Sequence, residues 1–216
     1  EKVGKDYLIP LLHCLSSEQE IANQMLTENT IIKCNHDSSG GVIIRDKMPD
    51  LKKIKNDFKK RLRSNHYYQS KEWQYKNMVP KILIEKLLLD KNNKIPNDYK
   101  FHCFHGKPKF IYCSLDREGK NYRKIYDTHW NKIDVSWKPF NQELRVGPDI
   151  EAPKSLNEML EISKQLSASL PYCRIDLYDV DGKVYFGEIT LHPHGGFEKI
   201  EPSRFDLEWG SYLNID

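Results

Sequence analysis

The chain has 216 residues, of which 38% are hydrophobic and 30% charged, enough to bury one core or two small subdomains and too apolar for a disordered segment. A formal net charge of +3 excludes the dense basic face of a nucleic-acid binder. No apolar run approaches the roughly 18 residues of a membrane span and no secretory segment opens the chain, so a soluble, cytoplasmic protein is expected. The five cysteines are odd in number, scattered and without CxxC spacing, which excludes a disulfide framework or zinc site and reads as reduced core residues. The first residue is Glu1 rather than Met, as expected if residues were removed or if this is part of a longer polypeptide.

Ser17-Glu-Gln-Glu20 is a capping box followed by Ile21, Ala22, Met25 and Leu26, which predicts a short helix ending near Thr27. From Ile31 to Ile44, two β-branched runs flank a small polar loop and predict strand, turn, strand. Beneath the Lys-rich stretch from Lys52 to Arg63, Leu51, Ile54, Phe58 and Leu62 recur at helical spacing, so the basic residues form a solvated helix face. Ile82 to Ile84 read as a buried strand. The segment from Tyr99 to Cys113 alternates on either side of His-Gly-Lys-Pro, an antiparallel hairpin. The polar, aromatic-rich stretch from Ser114 to Pro148 reads as loops with short strands. Ser155-Leu-Asn-Glu158 opens a second helix through Met159, Ile162, Leu166 and Leu170, and a final hairpin, RIDLYDVDGKVYFGEIT, leads to a Gly-rich end. Hairpins with helices between them and no βαβ period predict an α+β fold with antiparallel sheets.

In the last hairpin the turn decides which side chains share a face, because side chains alternate with period two. A two-residue Asp181-Gly182 turn sets Asp176 opposite Gly187 and turns Glu188 away. A three-residue loop of Val180, Asp181 and Gly182 pairs Asp176 with Phe186 and Arg174 with Glu188. It is the expected loop, because it puts Arg174, Asp176, Glu188 and Thr190 on one face and the apolar Ile175, Leu177 and Ile189 on the other. Two neighbouring carboxylates repel unless a cation lies between them. Magnesium takes such oxygens and keeps positions open for phosphate, and Arg174 can hold a phosphate or acyl-phosphate oxygen. The hairpin alone also reads as solvated carboxylates with Arg174 paired to Glu188.

Lys33 ends an apolar strand just before Asp37-Ser38-Ser39-Gly40-Gly41, a loop whose backbone N–H groups can approach phosphate while the lysine adds charge. Taken alone it is equally a plain hairpin turn, lacking the GK[ST] and following helix of a Walker loop. Glu85 reads as a hinge contacting a base or as a surface glutamate. Lys100 and Lys109 reach a phosphate or are solvated, and Lys100 is kept as a candidate nucleotide contact. His192 and His194 are loop residues and not ligands, since magnesium rarely takes imidazole.

A lysine before a Gly-rich loop, a strand ending in Glu, and a late R-x-D strand paired with one bearing Glu together resemble the ATP-grasp superfamily. The order KEWQYKN, DYKFHCFHGKPKFIY, YDTHWNK, PKSLNEMLEISKQLS and RIDLYDVDGKVYFGEITLHPHGGFE is similar to the TupA-like, teichuronopeptide-biosynthesis ATP-grasp family. The resemblance implies two α+β subdomains with antiparallel sheets gripping ATP, divided as a shortened N-terminal remnant (1–29), a small nucleotide-grasping subdomain (30–84) and a catalytic, metal-binding subdomain (85–216). By motif position it implies that Lys33 holds ATP phosphates, that Ser38, Ser39, Gly40 and Gly41 cover them, and that Ile84, Glu85, Lys86 and Leu87 contact adenine. It further implies that Asp176 and Glu188, with Thr190 as a third metal position, hold Mg2+ and that Arg174 steadies an acyl phosphate. Thr190 stands where the superfamily commonly has Asn, and only Lys2 and Lys5 are available for its upstream ATP-contacting lysine.

The implied activity is an ATP-dependent carboxylate-amine ligase. It would join a uronic-acid carboxyl of a sugar or glycan to an amino acid or other amine in capsule or cell-wall polysaccharide synthesis, in functional partnership with glycosyltransferases. By elimination, the stretch from Asp116 to Trp137, with Arg117, Arg123, Tyr126, Asp127, His129 and Trp130, is where an anionic sugar and an amine dock, unless it is a structural loop. Two rivals remain: an ATP-dependent phosphotransferase acting on a glycan precursor, and a non-catalytic nucleotide- or glycan-binding domain.

Overall fold

The computed structural model describes residues 2–38, 40–138 and 146–214. They divide into two compact units, Ile9–Leu88 and Glu1–Leu8 with Leu89–Asp216.

In the first unit β1 (Leu11–Leu15), β2 (Thr30–Cys34), β3 (Val42–Ile44) and β4 (Ile82–Lys86) form an antiparallel sheet in the order β1-β4-β2-β3. The expected boundary at residues 29 and 30 does not divide it: β1 lies upstream of that boundary, yet it pairs with β4 and buries Leu15. The helix α1 (Leu51–Leu62) starts where Asp50 Oδ1 accepts from the N–H of Lys52 at 2.8 Å, as an N-cap should. It drives Ile54 and Phe58 into a core with Ile32, Ile82 and Ile84. A second, short helix, α2 (His66–Ser70), follows. The helix expected after Ser17 is instead two 3-10 turns, Glu18–Glu20 and Asn23–Met25. Ser17 Oγ does accept from Gln19 N, but Ile21 turns extended and is buried with Leu26 in the core, and this burial outweighs the local cap.

In the second unit the strands are β5 (Asp98–Phe104), β6 (Lys107–Leu115), β7 (Tyr122–Asp127), β8 (Ser136–Lys138), β9 (Tyr172–Val180), β10 (Lys183–Thr190) and β11 (Lys199–Glu201). Five of them make an antiparallel sheet, β10-β9-β5-β6-β7, and β8 pairs with β11. The helix α3 (Leu156–Ser167) packs Met159 and Ile162 on one face of the large sheet, against Phe101, Cys103, Ile111, Ile175 and Leu177. Ser155 does not cap it; its hydroxyl donates to Asp179 Oδ2 at 2.6 Å. The opposite face carries an aromatic cluster in which Phe110 stacks on Trp209 of α4 (Ser203–Gly210) at 3.8 Å between centroids, with Trp137 beside them. Cys34, Cys103, Cys113 and Cys173 are buried and Cys14 exposed, all free thiols. No helix among the described residues is long and apolar enough to cross a membrane.

Period-two alternation on β5 and β9 sends Tyr99, Phe101, Ile175 and Leu177 toward α3. It sends Asp98, Lys100, Arg174 and Asp176 to the other face, and the adjacency of the two strands sets Lys100 opposite Asp176.

Candidate active site

The turn joining β9 and β10 has two residues, not three. Asp181 and Gly182 both have positive φ, at 54° and 94°, the two left-handed positions of a type I′ turn, and Lys183 pairs with Val180. The parity change comes later, at a bulge between Phe186 and Glu188, so that Glu188 pairs with Asp176 and Thr190 with Arg174. Gly187 is the bulged residue: a Cβ there would lie 3.0 Å from both the Asp176 carbonyl oxygen and the Tyr178 ring. The expected shared face forms by this different route.

On that face Arg174 is nine-tenths buried and acts as a hub. Its Nε and Nη2 donate to the two oxygens of Asp176 at 2.7 and 2.8 Å, and Nη2 also donates to Glu188 Oε1 at 3.1 Å and to Thr190 Oγ1 at 3.0 Å. The Thr190 hydroxyl donates to Glu188 Oε1 at 2.8 Å. Lys100 Nζ lies 2.5 Å from both Asp176 Oδ2 and Asp98 Oδ2. Burial pushes the Asp176 carboxyl up, but Lys100 and Arg174 outweigh it and hold it below the usual range. For Asp98 burial wins over Lys100 and its carboxyl is raised; its Oδ1 is buried with no hydrogen-bond partner among the described residues, a position a ligand O–H or N–H would complete. Burial first, then Arg174 and Lys100, drives His102 toward the neutral form.

Carboxylate and hydroxyl oxygens are the hard donors magnesium takes, and the Asp176 and Glu188 backbones are cross-strand partners. Glu188 offers an open side, with 61% of its side chain exposed. Among the described residues no group of three His, Cys, Asp or Glu forms a closed metal cage. The pair could offer an ion at most two carboxylates, Glu188 with an open side and Asp176 with both oxygens already bonded to Arg174 and Lys100.

A cavity of ≈ 290 Å³ opens from Arg174 and Lys100 and runs between Tyr112, Arg123, Trp137 and Glu198. Lys109 takes no part in it; its ammonium sits over the Tyr212 ring at 4.5 Å. Of the stretch from Ser114 to Pro148, residues 139–145 lie outside the described residues.

The other expected nucleotide contacts belong to the first unit. Lys33 is paired with Glu85 at 2.7 Å, so these two candidates neutralise each other. Ser38 Oγ is 3.1 Å from His66 Nε2, itself 3.3 Å from Glu72 Oε1. Ser39 lies outside the described residues. Arg61 bonds both Asp37 oxygens at 2.8 Å and the Gly40 carbonyl at 2.8 Å, which fastens the loop to α1. Gly41 packs against β2, where a Cβ would come within 2.4 Å of the Ile31 side chain. Of the expected base contacts, Ile84, Glu85 and Lys86 lie on β4 and Leu87 follows it. Ile84 and Leu87 are buried, because β4 is a central strand. The N–H groups of Lys86 and Leu87 are taken by the carbonyls of Pro10 and Asn29. Glu85 and Lys86 keep side chains outside the core.

Sequence reasoning missed Arg61, His66 and Glu72 as loop anchors, and Asp98 as partner of Lys100. The Asp-x-Lys spacing of Asp98 and Lys100 on a strand was the available signal for the latter.

A family model described as TupA-like ATPgrasp matches residues 1–214. Comparison with curated proteins finds no match. Among solved structures, the D-alanine--D-alanine ligase from Bacillus anthracis is similar over 96% of this chain and 59% of that one, at 19% identity and a TM-score of 0.45. The D-alanine-D-alanine ligase from Helicobacter pylori is similar over 87% of this chain and 50% of that one, at 18% identity and 0.42. The macrocyclase MdnC from Microcystis aeruginosa, bound with precursor peptide MdnA, is similar over 84% and 47%, at 11% identity and 0.39. The chain spans about half the length of the solved structures it matches.

Proposed function

Since the chain belongs to the TupA-like ATP-grasp family, with the α+β ATP-grasp fold expected from its sequence, we propose that it is an ATP-dependent carboxylate-amine ligase. In this reading it joins a uronic-acid carboxyl of a sugar or glycan to an amine or amino acid, in the cytoplasm, for capsule or cell-wall polysaccharide synthesis alongside glycosyltransferases. The observation that carries it is the Arg174 hub, a buried guanidinium that gathers Asp176, Glu188 and Thr190 on one face beside Lys100.

The acceptor carboxylate attacks the γ-phosphorus of ATP and ADP leaves. The amine then attacks the acyl carbon, the C–O bond to phosphate breaks, and phosphate departs with the electron pair. Phosphoryl transfer of this kind demands positioning and charge neutralisation more than a protein nucleophile. Magnesium held by Asp176 and Glu188, with Thr190 beside them, would supply part of that neutralisation. Arg174, fixed by its bonds to Asp176 and lining the cavity, would orient the acyl phosphate. Lys100 would add positive charge from β5. In the first unit Lys33 would exchange Glu85 for an ATP phosphate, while Ser38 and the backbone of Gly40 and Gly41 contact the remaining oxygens and Glu85 and Lys86 meet the base.

Purified chain incubated with ATP, magnesium, a uronic-acid glycan and amines tests the reading by ADP release and mass spectrometry. Amide and ADP should form together and vanish in Glu188→Gln. Phosphorylated sugar without amide would make the protein a phosphotransferase, and nucleotide binding without ADP release would make it a non-catalytic domain.

A further inference from the structure

Between α1 and β4 the chain carries large apolar side chains that the core of its unit does not use. Trp73 is 64% exposed, Tyr68 68% and Val79 69%, and Met78 is exposed as well. The patch is fixed in place. The Tyr67 ring meets those of Tyr68 and Trp73 at 5.4 and 5.8 Å between centroids. The Asn65 side chain donates to the Lys76 carbonyl at 3.1 Å and the Met78 N–H to the Tyr75 carbonyl at 3.3 Å. The Val79 carbonyl accepts from the Asn35 side chain at 3.0 Å, so α2 and the turns after it are tied to one another and to the end of β2. This is the KEWQYKN stretch and its borders, to which the ligase reading gives no role.

Two lysines rim the apolar surface. Lys76 Nζ lies 4.2 Å from the Trp73 ring centroid and 5.4 Å from that of Tyr67, and Lys71 Nζ lies 5.9 Å from that of Tyr67. Among the described residues neither ammonium forms an ion pair. The sequence leading to them is basic: from Leu51 to Lys76 nine Lys and Arg stand against two Asp and Glu, in a chain whose net charge is +3. Lysines alone suit any polyanion, and the aliphatic part of the patch decides between them. A nucleic acid or an acidic polysaccharide can stack on the rings and pair with the ammoniums, but it offers no hydrocarbon to Val79 and Met78. Exposed apolar side chains bordered by Trp, Tyr and Lys match the boundary between lipid and water. There the aromatic rings sit at headgroup level, the ammoniums reach the phosphates while their stems stay on apolar surface, and the aliphatic tips enter the acyl layer.

We propose that the surface formed by Tyr68, Lys71, Trp73, Lys76, Met78 and Val79 docks the protein on an anionic lipid membrane. The contact is made by the first unit alone and rests on no part of the ligase reading.

Cosedimentation of the whole chain tests it, with vesicles of equal parts phosphatidylcholine and phosphatidylglycerol and with vesicles of phosphatidylcholine alone, in the absence of nucleotide and acceptor. Binding to the anionic vesicles should be at least tenfold tighter and should fall as salt is raised, because screening shortens the reach of surface charge. A lysine near such a surface is worth about 1 kcal/mol, a factor of about five, so Lys71→Gln and Lys76→Gln should each weaken binding about fivefold. Trp73→Ala should weaken it at least tenfold with the melting temperature unchanged, and Trp73→Phe should recover most of the loss. Lipids brominated on the acyl chains should quench tryptophan fluorescence in the wild type and not in Trp73→Phe, which reads insertion apart from adsorption. No binding to the anionic vesicles, binding that Lys71→Gln, Lys76→Gln and Trp73→Ala leave unchanged, or binding without quenching would overturn the proposal. Binding to polygalacturonate or single-stranded DNA that Trp73→Ala abolishes while vesicle binding persists would overturn it in favour of that polymer. A dimer in solution that Trp73→Ala dissociates would overturn it in favour of a second copy of the chain.

Discussion

Asp176→Asn removes one charge and almost no volume, and the structure sets what it should cost. The Asp176 carboxylate is 2% exposed and accepts three charge-assisted bonds, from Arg174 Nε at 2.7 Å, Arg174 Nη2 at 2.8 Å and Lys100 Nζ at 2.5 Å. Asparagine keeps one acceptor and turns an NH2 group toward cations. Breaking one side of a buried ion pair costs roughly 3–5 kcal/mol. Here Arg174 keeps Glu188 and Thr190, and Lys100 keeps Asp98, so the lower end is expected, about 3 kcal/mol. For a chain of this size that is a melting-temperature loss of roughly 6–12 °C. Urea unfolding at pH 7 measures it, and a loss under about 1 kcal/mol would refute the hub as an electrostatic unit. A double-mutant cycle with Lys100→Gln should return a coupling of roughly 1–3 kcal/mol, and simple additivity would count equally against it. The pH dependence has a definite sign. The folded carboxyl is held below its unfolded value, so its contribution is full above the ordinary carboxylate range and lost as pH falls through the folded value. The gap between wild type and Asp176→Asn should therefore narrow in acid.

Three further outcomes follow from other parts of the molecule. Gly187→Ala places a methyl 3.0 Å from the Asp176 carbonyl and the Tyr178 ring; overpacking of this kind should cost roughly 1–3 kcal/mol in urea unfolding, and a neutral result would show that the bulge tolerates a side chain. Glu198 is raised from 4.5 to about 6, so the folded state binds its proton more tightly and stability should fall as pH rises between these values, by about 1 kcal/mol once its half-exposure is discounted; Glu198→Gln should remove that slope in a pH series of melting curves. Arg61→Gln removes the guanidinium bonds to the Asp37 carboxylate and the Gly40 carbonyl, which should cost on the order of 3 kcal/mol and speed hydrogen exchange at Ser38 and Gly40, whereas unchanged exchange would mean that other contacts hold them.

What the sequence made legible was governed by periodicity. The α1 pattern of Leu51, Ile54, Phe58 and Leu62, the β5–β6 hairpin around His105-Gly106 and the apolar face of Ile175 and Leu177 all follow from which positions recur, and each buries what its spacing says. The failures share one cause, a long-range contact overriding a local rule. Ser17 has its cap, yet Ile21 and Leu26 are drawn into the core and the helix stops at one turn. Ser155 looks like a cap, but its hydroxyl is spent on Asp179. Arg61 counts as one more charge on a solvated face until Asp37 and Gly40 come within reach of it. The active hairpin is the instructive case. Its shared face was readable from the chemistry of Arg174, Asp176, Glu188 and Thr190, but the irregularity that creates it was assigned to the turn. Asp-Gly is itself a good two-residue turn, and the glycine that breaks the ladder lies five positions further on.

The separation of turn from bulge divides the hairpin into two stretches with independent bookkeeping. From Leu177 to Phe186 the ladder is set by the Asp181-Gly182 turn; from Glu188 onward it is set by pairing with Asp176 and by the Arg174 bonds. A lengthened or shortened tip therefore alters the outer rungs without re-aiming the inner ones, since the slip is absorbed at Gly187. A fluorophore or epitope inserted at the tip would then report on the protein while Arg174, Asp176, Glu188 and Thr190 keep their orientation. Loss of the bulge has the opposite effect: the outer residues stay in place, while a regular ladder would set Gly187 opposite Asp176 and turn Glu188 and Thr190 to the other side of the sheet.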